Sequence, residues 1–230
     1  MKVINVIAVL SLAITLFVSF NCASAGNFAA TVANSSNKLN SSAQENSPWK
    51  TWRKTAYIQI NQRSVHASNL IEIKATISLN TTAQNFLLFL NNIQQHSLWF
   101  DRVKQSKQVL NSQGETILLY EFNKLLFSKK RQMAVKYETQ QQSPTSVLIT
   151  IEDQSKQLAL SLLFSDAIVM QVHQAHWKIT EKTFNNIPST LVTYQFIIDP
   201  KGSTPAWLAN KFLLKSTLRT LQNIHNEFPH

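Results

Sequence analysis

The segment Asp199-Pro200-Lys201-Gly202-Ser203-Thr204-Pro205 divides the last third of this 230-residue chain. Strand-like stretches precede it and one unbroken helical stretch follows. Pro200 ends the extended run, Gly202 permits a turn, and Thr204-Pro205 reads as an N-cap followed by a proline at the first helical position. From Ala206 to Glu227 neither Pro nor Gly occurs. Trp207, Leu214, Leu218, Leu221 and His225 recur at three- and four-residue spacing, and Leu213 and Ile224 widen the stripe. A long helix with such a face must bury it, and the elements upstream are mostly strands. The chain is thereby pushed toward a sheet that grips one helix, which suits a container better than a catalyst.

The strands are legible by alternation. Tyr57 to Asn61 is short. In Leu70 to Leu79, Ile71, Ile73, Ala75 and Ile77 face one way while Glu72, Lys74, Thr76 and Ser78 face the other. Asn80-Thr81-Thr82 offers caps for a helix over Ala83 to Ile93, and a second helical turn holds Leu98, Trp99 and Phe100. Strands resume at 103–110, 115–122, 130–141, 145–152, 167–180 and 190–198, separated by turn signals at Asn111 to Gly114 and Ser143-Pro144. The longest exceed usual strand length, which implies strong twist or curl. With no strand–helix alternation, the class is α+β with a mostly antiparallel sheet.

The N-terminus carries Lys2, an apolar run from Val3 to Phe20, and Ala23-Ser24-Ala25 before Gly26. Residues 1–25 read as a cleaved export signal, with an uncleaved anchor as the rival reading. Cys22 lacks the flanking residues of a lipidation site, and cleavage after Ala25 leaves no cysteine for disulfide or thiol chemistry. Residues 26–48 are dominated by Asn, Ser, Ala and Gln and read as a disordered linker. The folded domain is 49–230, about 180 residues, enough for one core or an internal cavity. The expected location is periplasmic or secreted.

The order of these elements resembles the START lipid-transfer domain family. The resemblance is carried by Ser68-Asn69-Leu70-Ile71-Glu72-Ile73-Lys74-Ala75 and the helix with Asn85-Phe86-Leu87-Leu88. Leu98-Trp99-Phe100, Ser128-Lys129-Lys130-Arg131-Gln132 and Asp199 through Asn210 extend it. The last block is the most specific. The chain departs from the family at Leu125 to Gln132, where two expected prolines are absent and Gln132 replaces an acidic residue. What the resemblance implies is a helix-grip fold, a curved antiparallel sheet closed by the C-terminal helix over an apolar tunnel holding one lipid-like molecule. Val192, Tyr194, Phe196 and Ile198 on the sheet, with Leu214, Leu218, Leu221 and His225 on the helix, are the candidate cavity residues. A tunnel of roughly 300 Å³ or more favours binding, whereas a filled core points to an envelope interaction protein.

Chemistry motifs are sparse. There is no G-x-S-x-G, H-E-x-x-H, Walker or G-x-G-x-x-G sequence, and with only three glycines phosphate-cradling loops are not expected. His173 and His176, three apart on a strand, fall on opposite faces and lack ligand-spaced partners, so no metal or cofactor is expected. An enzyme on the same fold, of cyclase or hydrolase type, needs a polar pair deep in the tunnel, and His173 or His176 near Tyr194 is its best candidate. Glu152-Asp153 reads as turn-forming, and Glu72, on the same wetter strand face as Lys74, reads as part of a surface ion pair.

Lys and Arg total 22 against 12 Asp and Glu. Lys211, Lys215 and Arg219 lie four apart on the helix face away from the leucines. In an exported monomer this basic stripe suits an anionic membrane surface, and nucleic acid is a poor partner.

Overall fold

The computed structural model describes residues 47–124, 129–156, 166–184 and 187–229. The proposed export signal, nearly all of the proposed linker, and Leu125 to Ser128 lie outside the described residues. The strands are β1 (Lys50–Lys54), β2 (Ile58–Ser64), β3 (Ile71–Leu79), β4 (Val103–Leu110), β5 (Thr116–Phe122), β6 (Arg131–Ser143), β7 (Ser146–Asp153), β8 (Ile168–Val169), β9 (Gln171–Phe184) and β10 (Ile187–Asp199). Helices α1 (Ala83–Asn91) and α2 (His96–Trp99) sit between β3 and β4, and α3 (Ala206–Glu227) ends the described fold. One sheet runs β1-β2-β3-β10-β9-β7-β6-β5-β4, with β8 added to β6. Its ladders are antiparallel apart from the short β6–β8 pair. The architecture is α+β. Among the described residues no helix is long and apolar enough to cross a membrane.

Side-chain alternation sets which face is inside. Ile73, Ala75, Ile77 and Leu79 on β3, and Val192, Tyr194, Phe196 and Ile198 on β10, are buried on the same side. Register pairs Tyr194 with Ala75 on one flank and with Trp177 on the other. Helix α1 begins at Thr82, whose hydroxyl accepts the Asn85 backbone N–H at 3.2 Å. It stops at Asn91 instead of Ile93, because Asn92 leaves the helical region (φ −82°, ψ 75°) and a 3₁₀ turn carries the chain into α2.

Four further details differ from the sequence reading. Glu72 is only 1% exposed. Its partners are Arg63 Nε and Gln195 Nε2, each at 2.5 Å, because the register sets Arg63 opposite it and Gln195 beside it. Trp49 then covers the pair, lying 4.4 Å over the Arg63 guanidinium. Second, His173 and His176 share the outer face. The ladder skips a residue where Ile198 pairs with Val172 but Ile197 pairs with Gln174, and this bulge turns His173 outward. Both histidines line a shallow surface cleft with Glu152 and Asp153, and Tyr194 lies on the opposite side of the sheet. The proposed His–Tyr pair is therefore not assembled. Third, Trp207 is 69% exposed and does not belong to the buried stripe of α3. The buried row is Ala209, Leu214, Thr217, Thr220, Leu221 and Ile224, a rotation of the face away from Trp207 and Leu218.

The fourth difference concerns the turn before α3. Thr204 does not cap it; Pro205 is the N-cap residue, its carbonyl accepting from Leu208 and Ala209. The Thr204 hydroxyl oxygen is taken by Arg131 Nη2 at 2.9 Å. Arg131 also donates to the carbonyls of Pro200 and Lys201, at 2.9 and 3.3 Å. Lys201 and Gly202 both have positive φ, 51° and 82°. A Cβ on Gly202 would stand 2.8 Å from Ile168 Cδ1, so glycine meets two requirements here.

Candidate functional site

The inner face of the sheet is packed unevenly. Under α1 and the last turns of α3 it is solid. Phe86 touches Trp177 and Phe228, and Phe89 touches Trp99 and Phe228, with ring centroids 5.0–6.3 Å apart. Along α3 from Ala209 to Leu221 the side chains do not meet those of the sheet, and a pocket of about 120 Å³ remains. The sheet supplies Met133 from β6, Met170 beside β9, and Tyr194, Phe196 and Ile198 from β10; α3 supplies Ala209, Leu213, Thr217, Thr220 and Leu221. Phe100 and Phe122 close one end, and Arg131, Pro200 and Thr204 another. The exposed Asn123 and half-exposed Arg102, Phe212 and Ser216 form its rim.

Of the cavity candidates, Tyr194, Phe196, Ile198 and Leu221 line this pocket. Val192 is fully buried but lies deeper in the core, two residues beyond Tyr194 on β10. Leu214 is buried in the same core, and Leu218 packs against it from the edge. His225 stacks on Tyr57 at 4.7 Å, at the far end of the helix. The rotation of the buried face of α3 explains these absences: it carries Thr217 and Thr220 inward and moves Leu218 and His225 to the side. Lys211, Lys215 and Arg219 are exposed on the opposite side of α3. Arg219 approaches Asp101 only to 3.9 Å.

The sequence reading did not place Met133, Met170, Phe100, Phe122, Thr217, Thr220 or Arg131 at the site. A signal existed for the threonines. Leu213, Thr217, Thr220 and Ile224 form an unbroken i, i+4, i+3, i+4 row, in which a threonine is as readily inward as outward. For Arg131 none existed, because its partners are more than sixty residues away.

A polar chain runs behind the pocket. His96 Nε2 lies 2.7 Å from the Leu90 carbonyl, which can only accept, so Nε2 carries the hydrogen. Nδ1 must then accept from the Tyr120 hydroxyl at 2.9 Å, and Tyr120 accepts from Tyr137 at 3.3 Å. His96 is fully buried. That burial pushes its pKa down to about 4, although the Leu90 hydrogen bond opposes the shift. Burial likewise raises the phenol pKa values of Tyr120, Tyr137 and Tyr194, so all three are neutral O–H groups. The Trp177 indole nitrogen, close enough to Tyr137 to oppose that rise, makes no hydrogen bond of normal geometry.

Tyr194 connects this interior to the pocket wall. Its ring stacks on Trp177 at 4.1 Å and 9° and touches Phe196 at 4.6 Å. Burial lowers the pKa of Arg131, which stays charged, and its guanidinium is committed to the turn before α3. Among the described residues nothing lining the pocket pairs a nucleophile with a base, and no cluster of His, Cys, Asp and Glu is arranged for a metal.

The sequence matches no protein-family model and no curated protein. Solved structures do match the fold. The STAR-related lipid transfer protein from Xanthomonas axonopodis superposes with a TM-score of 0.65 at 19% identity, over 78% of this chain and 97% of that one. The lipid transfer and protein localization domain of human StarD13 gives 0.63 at 18%, over 79% and 89%. Human StAR-related lipid transfer protein 5 gives 0.62 at 11%, over 77% and 85%. At such identities the likeness is one of fold. The chain has a START-like helix-grip fold: a multi-strand sheet packed against a long C-terminal helix.

Proposed function

We propose that this protein binds a hydrophobic small molecule or lipid between α3 and the sheet, and carries or senses it. The observation behind this reading is the pocket itself. Apolar side chains from six separated parts of the chain converge there without filling the space, while the neighbouring half of the same face is solid. Cavities of this kind, mostly apolar with a few converging polar groups, are the usual form of a small-molecule site. The lipid transfer proteins that share the fold make a lipid a natural occupant.

At about 120 Å³ the pocket is well below the roughly 300 Å³ of a drug-sized site. It is comparable to the engineered cavity of about 150 Å³ that takes benzene. One ring or a short length of acyl chain fits; a whole lipid needs the rim at Arg102, Phe212 and Ser216 to part or the chain to run out past it. Operation outside the cytoplasm, with the Lys211–Lys215–Arg219 stripe turned to an anionic membrane, completes the proposal.

Replacing Ala209, a small residue on the pocket wall, by Phe fills the space from the helix side. Uptake of a fluorescent fatty-acyl probe should fall at least tenfold in Ala209→Phe while the thermal transition stays cooperative. Undiminished uptake would place the ligand elsewhere.

A further inference from the structure

The pocket wall has an unbalanced set of polar groups. Among the described residues no carboxylate lines it; the nearest in the chain, Asp101 between Phe100 and Arg102, is not part of the wall, and its Oδ2 is buried without a partner. Tyr194 is only 6% exposed, yet its hydroxyl makes no hydrogen bond with any described residue. Thr220, 3% exposed on the facing helix, accepts the Asp101 backbone N–H at 3.0 Å, but its own hydroxyl hydrogen has no acceptor among the described residues. Of the other hydroxyls on the wall, Thr217 donates to the Leu213 carbonyl at 2.8 Å, Ser216 leans toward the Asp101 carbonyl at 3.5 Å, and Thr204, at the Arg131 end of the pocket, accepts from that guanidinium. Buried polar groups are nearly always paired, and an unpaired one costs stability unless something else supplies the partner.

Two unpaired donors on opposite walls, one on the sheet and one on the helix, select for an acceptor. An amine brings donors and a positive charge, and here it would meet Arg131 and Arg102 with no carboxylate to receive it. A pure hydrocarbon leaves both hydroxyls unmatched. We infer that the bound molecule carries a carbonyl-type oxygen on an apolar body, a ketone or an ester, and that the Tyr194 and Thr220 hydroxyls hold that oxygen. The stacking of Tyr194 on Trp177 fixes the direction of its hydroxyl before the ligand arrives, which lowers the ordering cost of the contact. This inference rests on the binding reading above and adds the polar end of the ligand to it.

Cyclohexanone and methylcyclohexane isolate the oxygen, since they match in ring and heavy-atom number and differ only at that group. Met133 and Met170 both line the pocket, so their labelled methyl groups report occupancy by NMR. Tyr194→Phe, which removes only the hydroxyl, should weaken the ketone about fivefold. The hydrocarbon should bind the variant at least as well as wild type, and the thermal midpoint should not fall, because no internal partner is lost. Thr220→Val should weaken the ketone similarly, with a lower midpoint because Asp101 N–H loses its acceptor. Ketone binding unchanged in Tyr194→Phe, with both probes still shifting Met133 and Met170, would overturn the donor assignment and leave the pocket reading standing. Failure of both probes to shift either methionine in wild type would overturn both.

Discussion

The two halves of the space between sheet and C-terminal helix have the same kind of walls and opposite outcomes. Toward α1, Phe86, Phe89, Trp99, Trp177 and Phe228 interlock, and Phe86 and Trp99 are 0% and 2% exposed. Toward the start of α3, Phe100, Phe122, Tyr194 and Phe196 are equally aromatic but ring a gap. Aromatic content therefore does not decide whether a region is core or cavity. On the helix wall of the gap Leu213 and Leu221 stand among the shorter Ala209, Thr217 and Thr220, whereas on the filled side Phe228, just beyond α3, interlocks with Phe86 and Phe89.

The largest expected difference between the halves is in stability. Phe86→Ala should cost about 3–5 kcal/mol by urea unfolding, the usual range for a large aromatic removed from a closed core. Phe212→Ala, at the pocket rim, should cost less than about 1 kcal/mol. Comparable costs would mean that the two halves are packed alike.

A pH titration sharpens the same contrast, because the buried histidine lies on the filled side. Folded His96 holds its pKa near 4 against 6.5 for an unperturbed histidine. The unfolded chain therefore takes up a proton below pH 6.5 that the folded protein refuses until about pH 4. Stability should be flat above 6.5, fall by about 3 kcal/mol through that window, and level off below it as far as His96 is concerned. His176 is depressed as well and contributes with the same sign. The depressed carboxyls of Glu115, Glu121 and Asp199 add their losses only at still lower pH. Between pH 6.5 and 5, His96→Gln should remove most of the slope. An unchanged slope would assign the titration to other groups.

On the open side, the turn that starts α3 hangs on Arg131. Arg131→Met keeps the length of the side chain and removes its hydrogen bonds to Pro200, Lys201 and Thr204. A loss of about 1–3 kcal/mol should follow. Hydrogen exchange should accelerate at the first turn of α3 before it does at Ile224. Acceleration along the whole helix at once would show that α3 is a single cooperative unit and that its two ends are not separable.

The smallest effect on folding should come from the outer stripe. Lys211, Lys215 and Arg219 together changed to Gln should alter stability by no more than about 0.5 kcal/mol, since exposed charges contribute little. Adsorption to anionic vesicles should weaken by about 1 kcal/mol per charge at low salt, and the difference should shrink at about 0.5 M salt. Equal vesicle binding by both proteins would remove the membrane from the account.

The order of elements was legible because β3, β10 and α3 alternate or repeat cleanly, and Asp199 to Pro205 marks the boundary between sheet and helix without ambiguity. Tyr194, Phe196, Ile198 and Leu221 were readable as inward on the same grounds. What could not be read depended on contacts distant in sequence. Arg131 takes the Thr204 hydroxyl, so a good N-cap residue does not cap. The bulge at His173 reverses one side chain, and no local residue announces it. Glu72 looks like an outward strand position until Gln195 from β10 and Trp49, just before β1, arrive to cover it. Periodicity fixes the face of a helix to within a residue or two, and that margin is what separates Leu218 from Thr217.

Native mass spectrometry of protein purified from its own cells, followed by organic extraction, tests the central claim most directly. The account predicts a hydrophobic, oxygen-bearing species at near one-to-one stoichiometry, displaced when Ala209 is replaced by Phe. Protein that emerges bare, and that takes up no fluorescent acyl or sterol probe, would contradict it.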